Sequence, residues 1–505
     1  MKNRNKAMVN FSRLVLVLCL IIAVGCNEDA WDEHYEELDS RLETNVLSIL
    51  SEDSDYSTFV KYIEQTGYSS QLAMSQSYTI WAPNNTAFEQ VPSDILNNHD
   101  LLKELIGNHI SLFAYNSSSN SETLVKMFNN KYVEFINTNG SSSFGGVDVV
   151  NKDLLASNGI VHTINQVLEV NPNIWGYLNE YESQFPILMD FLNQFNETGF
   201  DESNSVQTGT NTLGQAVYDS IFSTQNTYFK IIGDLSSEEE RFSFIGLTDE
   251  AYASAYDNLD DYYNSPYIDT VKNNVDKVIF RNLNFPQVDS SELNGTIITT
   301  TGSEVMLDPN SIIENVALSN GNIFLVDELI YDPMGVIYKP IRYEIEDTKN
   351  RTVGSSRDFS IQKRYSAFAS GQFTNEVSLL ENPTANNSNN YFEVNFSDVL
   401  AASYELNLKF STVDAPQSTK LKFELRYIGS NYVPVTEEIG PIVVNNLEDG
   451  VIKIGDSFDF PFYSSGEPDD YFSVKLKVIV DVSEPELILY GRRFGIDYAE
   501  LVPTE

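Results

Sequence analysis

Four histidines, His34, His99, His109 and His162, are the only side chains in this 505-residue chain whose ordinary titration lies near neutral pH. No two have the spacing of a His-Glu-x-x-His ligand pair. His109 and His162 sit inside the apolar segments LIGNHISLF and NGIVHTINQVL. Both are expected to be core histidines that bond neighbouring groups rather than catalysts. Carboxylates are plentiful, with 73 Asp and Glu against 31 Lys and Arg. A glycosidase needs two of them at a fixed separation. Adjacent pairs such as Asp469-Asp470 and Glu437-Glu438 fall in expected loops and read as solvated charge. Two cysteines are too few for a disulfide scaffold or a thiolate metal cluster. The chain has no Gly-rich phosphate loop and no nucleophile elbow, so it reads as a non-enzyme without a cofactor. Abundant oxygen ligands leave room for a structural calcium ion in the C-terminal third, although no segment has calcium-loop spacing.

Sugar recognition is the other chemistry open to this composition. It uses flat aromatic faces flanked by Asn, Asp and Arg. Trp31, Trp81 and Trp175 all precede residue 340, so platforms beyond it must be tyrosines. Tyr427, Tyr432 and Tyr490, with Arg492 near in sequence, are the candidate ligand contacts. Tyr463 and Tyr471 are further platforms, and the competing expectation is that these rings cover sheet edges.

The N-terminus carries a different signal. Lys2, Arg4, Lys6 and Arg13 lead into an apolar run from Leu14 to Val24, too short to span a bilayer and right for a secretory signal. The run ends Ala23-Val24-Gly25-Cys26, which resembles the lipobox of bacterial lipoproteins. The resemblance implies a signal peptide over 1–25, acylation of Cys26 by palmitate-like chains, and anchorage in outer-membrane lipid. The acidic tether over 26–38, beginning Asn27-Glu28-Asp29, resembles the surface-export signal of Bacteroidetes-type lipoproteins, which implies exposure on the cell exterior. Losing four basic residues and no acids takes the formal charge from −42 to −46.

The elements that must position these residues repeat. Tyr78 to Phe88 reads YTIWAPNNTAF and Phe242 to Tyr252 reads FSFIGLTDEAY. Ser157-Asn158-Gly159-Ile160-Val161-His162 matches Ser319-Asn320-Gly321-Asn322-Ile323-Phe324. The landmarks lie 74 residues apart in one case and 72 in the other, so the chain holds two copies of one domain. Alternation over 78–81 predicts a strand. Pro83 and Asn84-Asn85 must end it in a helical turn that returns Ala87 and Phe88 to the core. Asn158-Gly159 and Asn320-Gly321 read as turn dipeptides tolerant of positive φ, each feeding an apolar strand. Ser57 is expected to open a helix burying Phe59, Val60 and Ile63, and Asp100 one carrying Leu101, Leu102, Leu105 and Ile106. Segregated helices and strands make an α+β unit.

YTIWAPNNTAF resembles the first signature of the fasciclin domain and NGIVHTINQVL its second. His109 matches the family's intervening histidine, with Asn108 where a tyrosine often precedes it. The resemblance implies a fasciclin-like domain over 39–171 whose motif residues Pro83, Asn84, Phe88, His109, Asn158, Gly159 and His162 are structural. It implies a divergent one over 172–335, with Gly246-Leu247 for Ala-Pro and Phe324 for the histidine. Domains of this family act in adhesion and extracellular interaction.

Beyond Tyr338 strict alternation takes over, as in Tyr404-Leu406-Leu408-Phe410, Leu421-Phe423-Leu425-Tyr427 and Phe472 to Val482. One solvated face per strand predicts an all-β antiparallel sandwich, jelly-roll-like, over 340–505. Phe494 to Leu501 resembles the last strand of galactose-binding-like and carbohydrate-binding sandwiches. The charge shifts at the same boundary: residues 27–339 hold 12 basic and 47 acidic residues, and 340–505 hold 15 and 26. Such acidity argues against nucleic acid as a partner, since phosphate binding runs on Lys and Arg. Two functions stay open: adhesion to surface proteins or extracellular polysaccharide, and glycan capture for a polysaccharide-uptake system.

Overall fold

Every residue of the strand β1 (Tyr78–Pro83) is buried, because both its faces carry core. In the computed structural model, which describes residues 44–504 except 75, 202–204, 294, 350, 355–358, 367–368 and 380–389, the chain forms two compact units, Met1–Pro172 and Asn173–Glu505. The signal segment, Cys26 and the acidic tether lie outside the described residues. Among those described, no helix is long and apolar enough to cross a membrane.

The first unit opens with helices α1 (Val46–Glu52), α2 (Ser57–Gln65) and α3 (Tyr68–Leu72), and α4 (His99–Gly107) follows β1. Tyr78, Ile80 and Ala82 face these helices in one core with Phe59, Ile63, Leu72 and Ile106. Trp81 points the opposite way, into a second core with Phe135 and Phe144. The remaining strands are β2 (Ile110–Leu112), β3 (Ser121–Lys126), β4 (Tyr132–Thr138), β5 (Ser141–Phe144), β6 (Val147–Ala156) and β7 (Gly159–Ile164). They form one sheet in the order β2-β1-β7-β6-β5-β4-β3. Only β1 and β7 run parallel, in the register Tyr78↔Gly159 to Pro83↔Ile164. The helix expected from Asp100 starts at His99 under an Asn98 cap, and Leu101 faces solvent rather than the core. Val60 is only half-buried.

The second unit begins with a module of the same plan. Helices α5 (Ile174–Glu180), α6 (Pro186–Asn193) and α7 (Phe229–Ile232) lead to β12 (Phe242–Leu247), α8 (Asp249–Asp257) and α9 (Ile268–Arg281). Between α6 and α7 stands a ribbon of β8 (Asn196–Phe200), β9 (Val206–Thr210), β10 (Ala216–Asp219) and β11 (Phe222–Asn226). The sheet of this module is β13 (Asn284–Pro286), β12, β17 (Gly321–Val326) and β16 (Ile312–Leu318), with β14 (Thr296–Ile298) and β15 (Glu304–Met306) as a separate hairpin. β12 and β17 run parallel from Phe242↔Gly321 to Leu247↔Val326, the register of β1 and β7.

The C-terminal strands are β18 (Ile341–Glu344), β19 (Arg351–Val353), β20 (Phe359–Tyr365), β21 (Phe373–Leu379), β22 (Tyr391–Phe396), β23 (Ser403–Ser411), β24 (Thr419–Ile428), β25 (Pro434–Val444), β26 (Gly450–Asp459), β27 (Val474–Val480) and β28 (Arg493–Pro503). One sheet runs β20-β21-β28-β23-β26, with β18 also on β28; the other runs β19-β22-β27-β24-β25. Every pairing is antiparallel, and inward residues such as Val394, Leu408, Phe423, Leu476 and Ile496 share one apolar core. That core is continuous with the second α+β module, so residues 173–505 fold as one unit where the sequence suggests two. The joint is backbone-bonded: Ala401 N–H donates to Tyr262 O (2.8 Å), and Tyr463 N–H to Asn264 O (2.9 Å). Glu437-Glu438 lies on strand β25 rather than in a loop.

Candidate functional site

The fasciclin-type motif residues converge on the β1–β7 pair. Pro83 ends β1, and Asn84 Oδ1 then accepts the Ala87 N–H (3.0 Å), capping the turn that puts Phe88 against Phe59 and Tyr62. Asn158 does more than turn the chain. Its Oδ1 accepts Val46 N–H (2.9 Å) at the start of α1, its Nδ2 donates to Leu72 O (2.9 Å) at the end of α3, and its carbonyl accepts Tyr78 N–H. Asn320 makes the equivalent bonds, accepting Ile174 N–H (2.8 Å) and Phe242 N–H and donating to Leu235 O (3.0 Å). The glycines that follow are needed for a reason the turn reading missed. A Cβ on Gly159 would lie 2.1 Å from the Tyr78 carbonyl oxygen, and one on Gly321 1.8 Å from that of Phe242. Each glycine lets two parallel strands approach.

Neither motif histidine is free. His109 is fully buried; Nδ1–H donates to Leu105 O (2.9 Å) and Nε2 accepts Leu168 N–H (2.9 Å). Burial pulls its pKa down from 6.5 to about 4, against the opposing effect of the Leu105 carbonyl. His162 stacks on Trp81; its Nε2–H donates to Tyr115 O (2.8 Å) and Nδ1 accepts Asp153 N–H (3.2 Å). Burial lowers its pKa too, partly offset by the Tyr115 carbonyl and the Asp153 charge. Neutral rings with both nitrogens engaged hold backbone segments together; they cannot relay protons.

The four candidate ligand contacts do not form one site. Arg492 is 7 % exposed, with its guanidinium donating to Val482 O (2.9 and 2.7 Å) and to Glu484 (3.0 Å), so it is a structural strap. Tyr490 packs on the core beside Lys420, at the start of β24. Tyr427 is seven residues further along that strand, roughly 23 Å away. Tyr427 does line a cleft of about 580 Å³. Ser403 and Asp459 line it from the β23 and β26 ends, and Asp261 and Asn264 from the second α+β module. Asn264 Nδ2 fixes one wall by donating to Pro461 O (2.7 Å), and Ser403 donates to Asp459. Among the described residues no Lys or Arg lines the cleft. Tyr432, half-exposed with φ +62°, stands on the β24–β25 turn that also builds the cleft, its ring on Phe462. Tyr471 OH donates to its carbonyl (3.1 Å). Asp261 and Asn264 escape sequence reasoning, because nothing local ties residues 260–264 to a strand end 140 residues on.

The outer face of the five-stranded sheet is tied up in ion pairs. Lys422–Glu438 (2.6 Å), Lys477–Glu424 (3.0 Å) and Arg426–Glu393 cross it strand to strand. Asp470 of the Asp469-Asp470 pair pins its own loop by accepting Ser465 N–H (2.8 Å).

Carboxylate oxygens of Glu344, Glu346 and Asp497 lie within 4.8 Å of one another, a donor set that suits a hard cation such as calcium. Asp497 is fully buried and accepts Ser370 N–H (2.9 Å), and Ser370 Oγ donates to Glu344 (2.6 Å). Burial raises the pKa of Asp497. Burial first, then the Glu344 and Asp497 charges, raises that of Glu346.

Residues 54–170 match the family model described as Fasciclin domain. The chain is 27% identical over 167 residues to transforming growth factor-beta-induced protein ig-h3 of Sus scrofa, covering 29% of this chain and 24% of that one. It is 27% identical over 171 residues to a FAS1 domain-containing protein of Saccharomyces cerevisiae, covering 32% and 20%. The chain thus spans a quarter or less of the curated relatives it matches. Among solved structures, a FAS1 domain pair from the insect cell adhesion molecule fasciclin I covers 57% of this chain and 100% of its own, at 16% identity and TM-score 0.24. The CBM22-1 xylan-binding domain from Paenibacillus barcinonensis covers 33% and 95%, at 13% identity and TM-score 0.23. The first unit of this chain, over residues 54–170, carries a Fasciclin domain.

Proposed function

We propose that this protein is a non-enzymatic surface lipoprotein whose fasciclin domain mediates adhesion or assembly outside the cell. It would be held in outer-membrane lipid through Cys26. The second α+β module is then a diverged fasciclin domain, and the C-terminal sheets form a jelly-roll-like sandwich carried by it. The observation behind this reading is the Fasciclin match over 54–170, with both motif histidines committed to backbone partners. The test is cell-based. Whole cells expressing the chain should incorporate palmitate into it and lose it to added proteinase, and Cys26→Ser should abolish the label. Beads coated with the soluble chain should adhere to matrix-bearing cells, and Asn158→Ala, which releases α1 from the sheet, should reduce that adhesion. Unlabelled protein or equal adhesion would sink the reading.

A second reading, glycan capture, is favoured by the cleft under Tyr427. An aromatic wall with hydroxyl, amide and carboxylate groups suits a sugar. Asp261 and Asp459 in its lining favour a neutral polymer over an anionic one. Affinity electrophoresis of the soluble chain on neutral and anionic polysaccharides tests it. Retardation by a neutral glycan that Tyr427→Ala removes is the expected result.

A further inference from the structure

The two α+β modules join the same pair of helices very differently. In the first, α2 and α3 are separated by Thr66 and Gly67 alone. In the second, α6 and α7 enclose residues 194–228. The fold does not need this insertion, since the first module closes without it. Long insertions into compact domains usually carry function. The inserted chain is a two-stranded ribbon: β8 pairs β11 from Asn196↔Asn226 to Phe200↔Phe222, and β9 pairs β10 from Val206↔Asp219 to Thr210↔Ala216. Of its described residues only Asn226 and Tyr228, at the junction with α7, are buried.

Such a ribbon is marginal by itself in water, and this one exposes what a partner would cover. Val206 is 65 % exposed, Phe222 64 % and Leu213 82 %. Phe200 meets Tyr218 and Phe222 at 5.2 and 6.2 Å in an aromatic cluster on the ribbon's surface. Edge strands ordinarily avoid pairing with other chains through Lys, Pro or covering elements. Residues 194–228 contain no Lys, Arg or Pro. Among the described residues β9 has β10 on one side and no strand on the other.

Charge selects the occupant. Two copies of a chain with a formal charge of −42 repel one another over most of their surface. Residues 205–218, however, carry no charged side chain, and their Val, Thr and Tyr residues favour strand pairing. Copies can meet there without bringing like charges together. We propose that the ribbon is a self-association arm, in which β9 pairs antiparallel with β9 of a second copy about a twofold axis. This joins two ribbons into a four-stranded sheet. Strands of five residues bury little area, so the contact is weak and reversible in solution. Confinement on a surface raises its occupancy.

The experiment is sedimentation velocity on the soluble chain 26–505 with Cys26→Ser, from about 1 to about 200 μM at near-physiological salt. The weight-average sedimentation coefficient should rise with concentration toward a dimer. Thr208→Lys, at the centre of β9, sets like charges opposite each other and should raise the dissociation constant at least about tenfold. An equimolar mixture of Thr208→Lys and Thr208→Glu should recover association. In the same Cys26→Ser background Thr208→Cys supplies a single thiol and should yield a covalent dimer on oxidation. Thermal unfolding of each variant checks that the exposed substitution leaves the fold intact. A chain that stays monomeric throughout, or a dimer unmoved by Thr208→Lys, overturns the proposal. The monomeric result would leave the ribbon to a different protein.

Discussion

Replacing His109 with leucine should remove about 3 kcal/mol of the acid sensitivity of the first unit. The folded ring is neutral because Nδ1–H donates to Leu105 O and Nε2 accepts Leu168 N–H. A proton added at Nε2 would set N–H against N–H in a site closed to water. The folded pKa is therefore about 4, against 6.5 ordinarily. Between those values the unfolded chain binds the extra proton, so this contribution to stability is complete above pH 6.5 and is lost as the pH falls toward 4. A difference of about 2.5 in pKa corresponds to about 3 kcal/mol. Leucine is the natural probe, since the second module already uses it: Leu283 is fully buried, and its carbonyl accepts Ile245 N–H as that of His109 accepts Trp81 N–H.

His109→Leu strands the Leu168 N–H and leaves the Leu105 carbonyl with the Asn108 N–H alone, so at pH 7.5 it should cost roughly 1–3 kcal/mol. From pH 6.5 down to 4 it should then lose about 3 kcal/mol less than the parent, and the two stability curves should converge. Urea unfolding at half-unit pH steps measures this, followed by Trp81 emission with Trp31 and Trp175 changed to phenylalanine. His162, whose pKa is also lowered by burial, contributes to the residual slope in the variant. Parallel curves would mean that His109 takes up no proton on unfolding, and that its ring is not held neutral by the fold.

Gly159→Ala and Gly321→Ala should each destabilise by more than about 3 kcal/mol, since each Cβ meets a backbone carbonyl that cannot move without parting two strands. Because the glycines belong to different units, calorimetry should show only the matching transition shift. Arg492→Ala should cost roughly 1–3 kcal/mol by taking both guanidinium donors from the Val482 carbonyl, while glycan retardation in the folded variant stays unchanged. In EDTA, Glu346→Gln should raise the unfolding midpoint, because it removes one of three converging carboxylates, two of which already have raised pKa values. A lowered midpoint would show the trio is not repulsive.

What the sequence made legible was local or periodic. The β1 strand, the Asn84 cap and the strict alternation along β23 and β24 follow from neighbours two to four residues apart, and burial alternates along β23 and β24 as expected. The reading of Asn-Gly as a turn located the right residues and missed their work. Asn158 acts across 86 residues to Leu72 and 112 to Val46, distances at which no pattern in one chain reports. The same limit hid the cleft, whose walls come from residues 261–264, the start of β23 and the turn after β24. Arg492 sat beside an exposed-looking tyrosine in sequence, but its carbonyl partners on Val482 bury it. The ribbon was visible in another form. The intervals of 74 and 72 residues between landmarks match because the insertion precedes both landmarks of the second module. The excess length of the span 172–335 over 39–171 is therefore no sign of general divergence. It is one added element placed at a helix–helix turn, where the core tolerates it, and its stretch 205–218 is free of charge although Glu197, Asp201, Glu202 and Asp219 flank it. A strand that has to meet its own copy needs that stretch free of like charge, and the four acids of the insertion stand outside it.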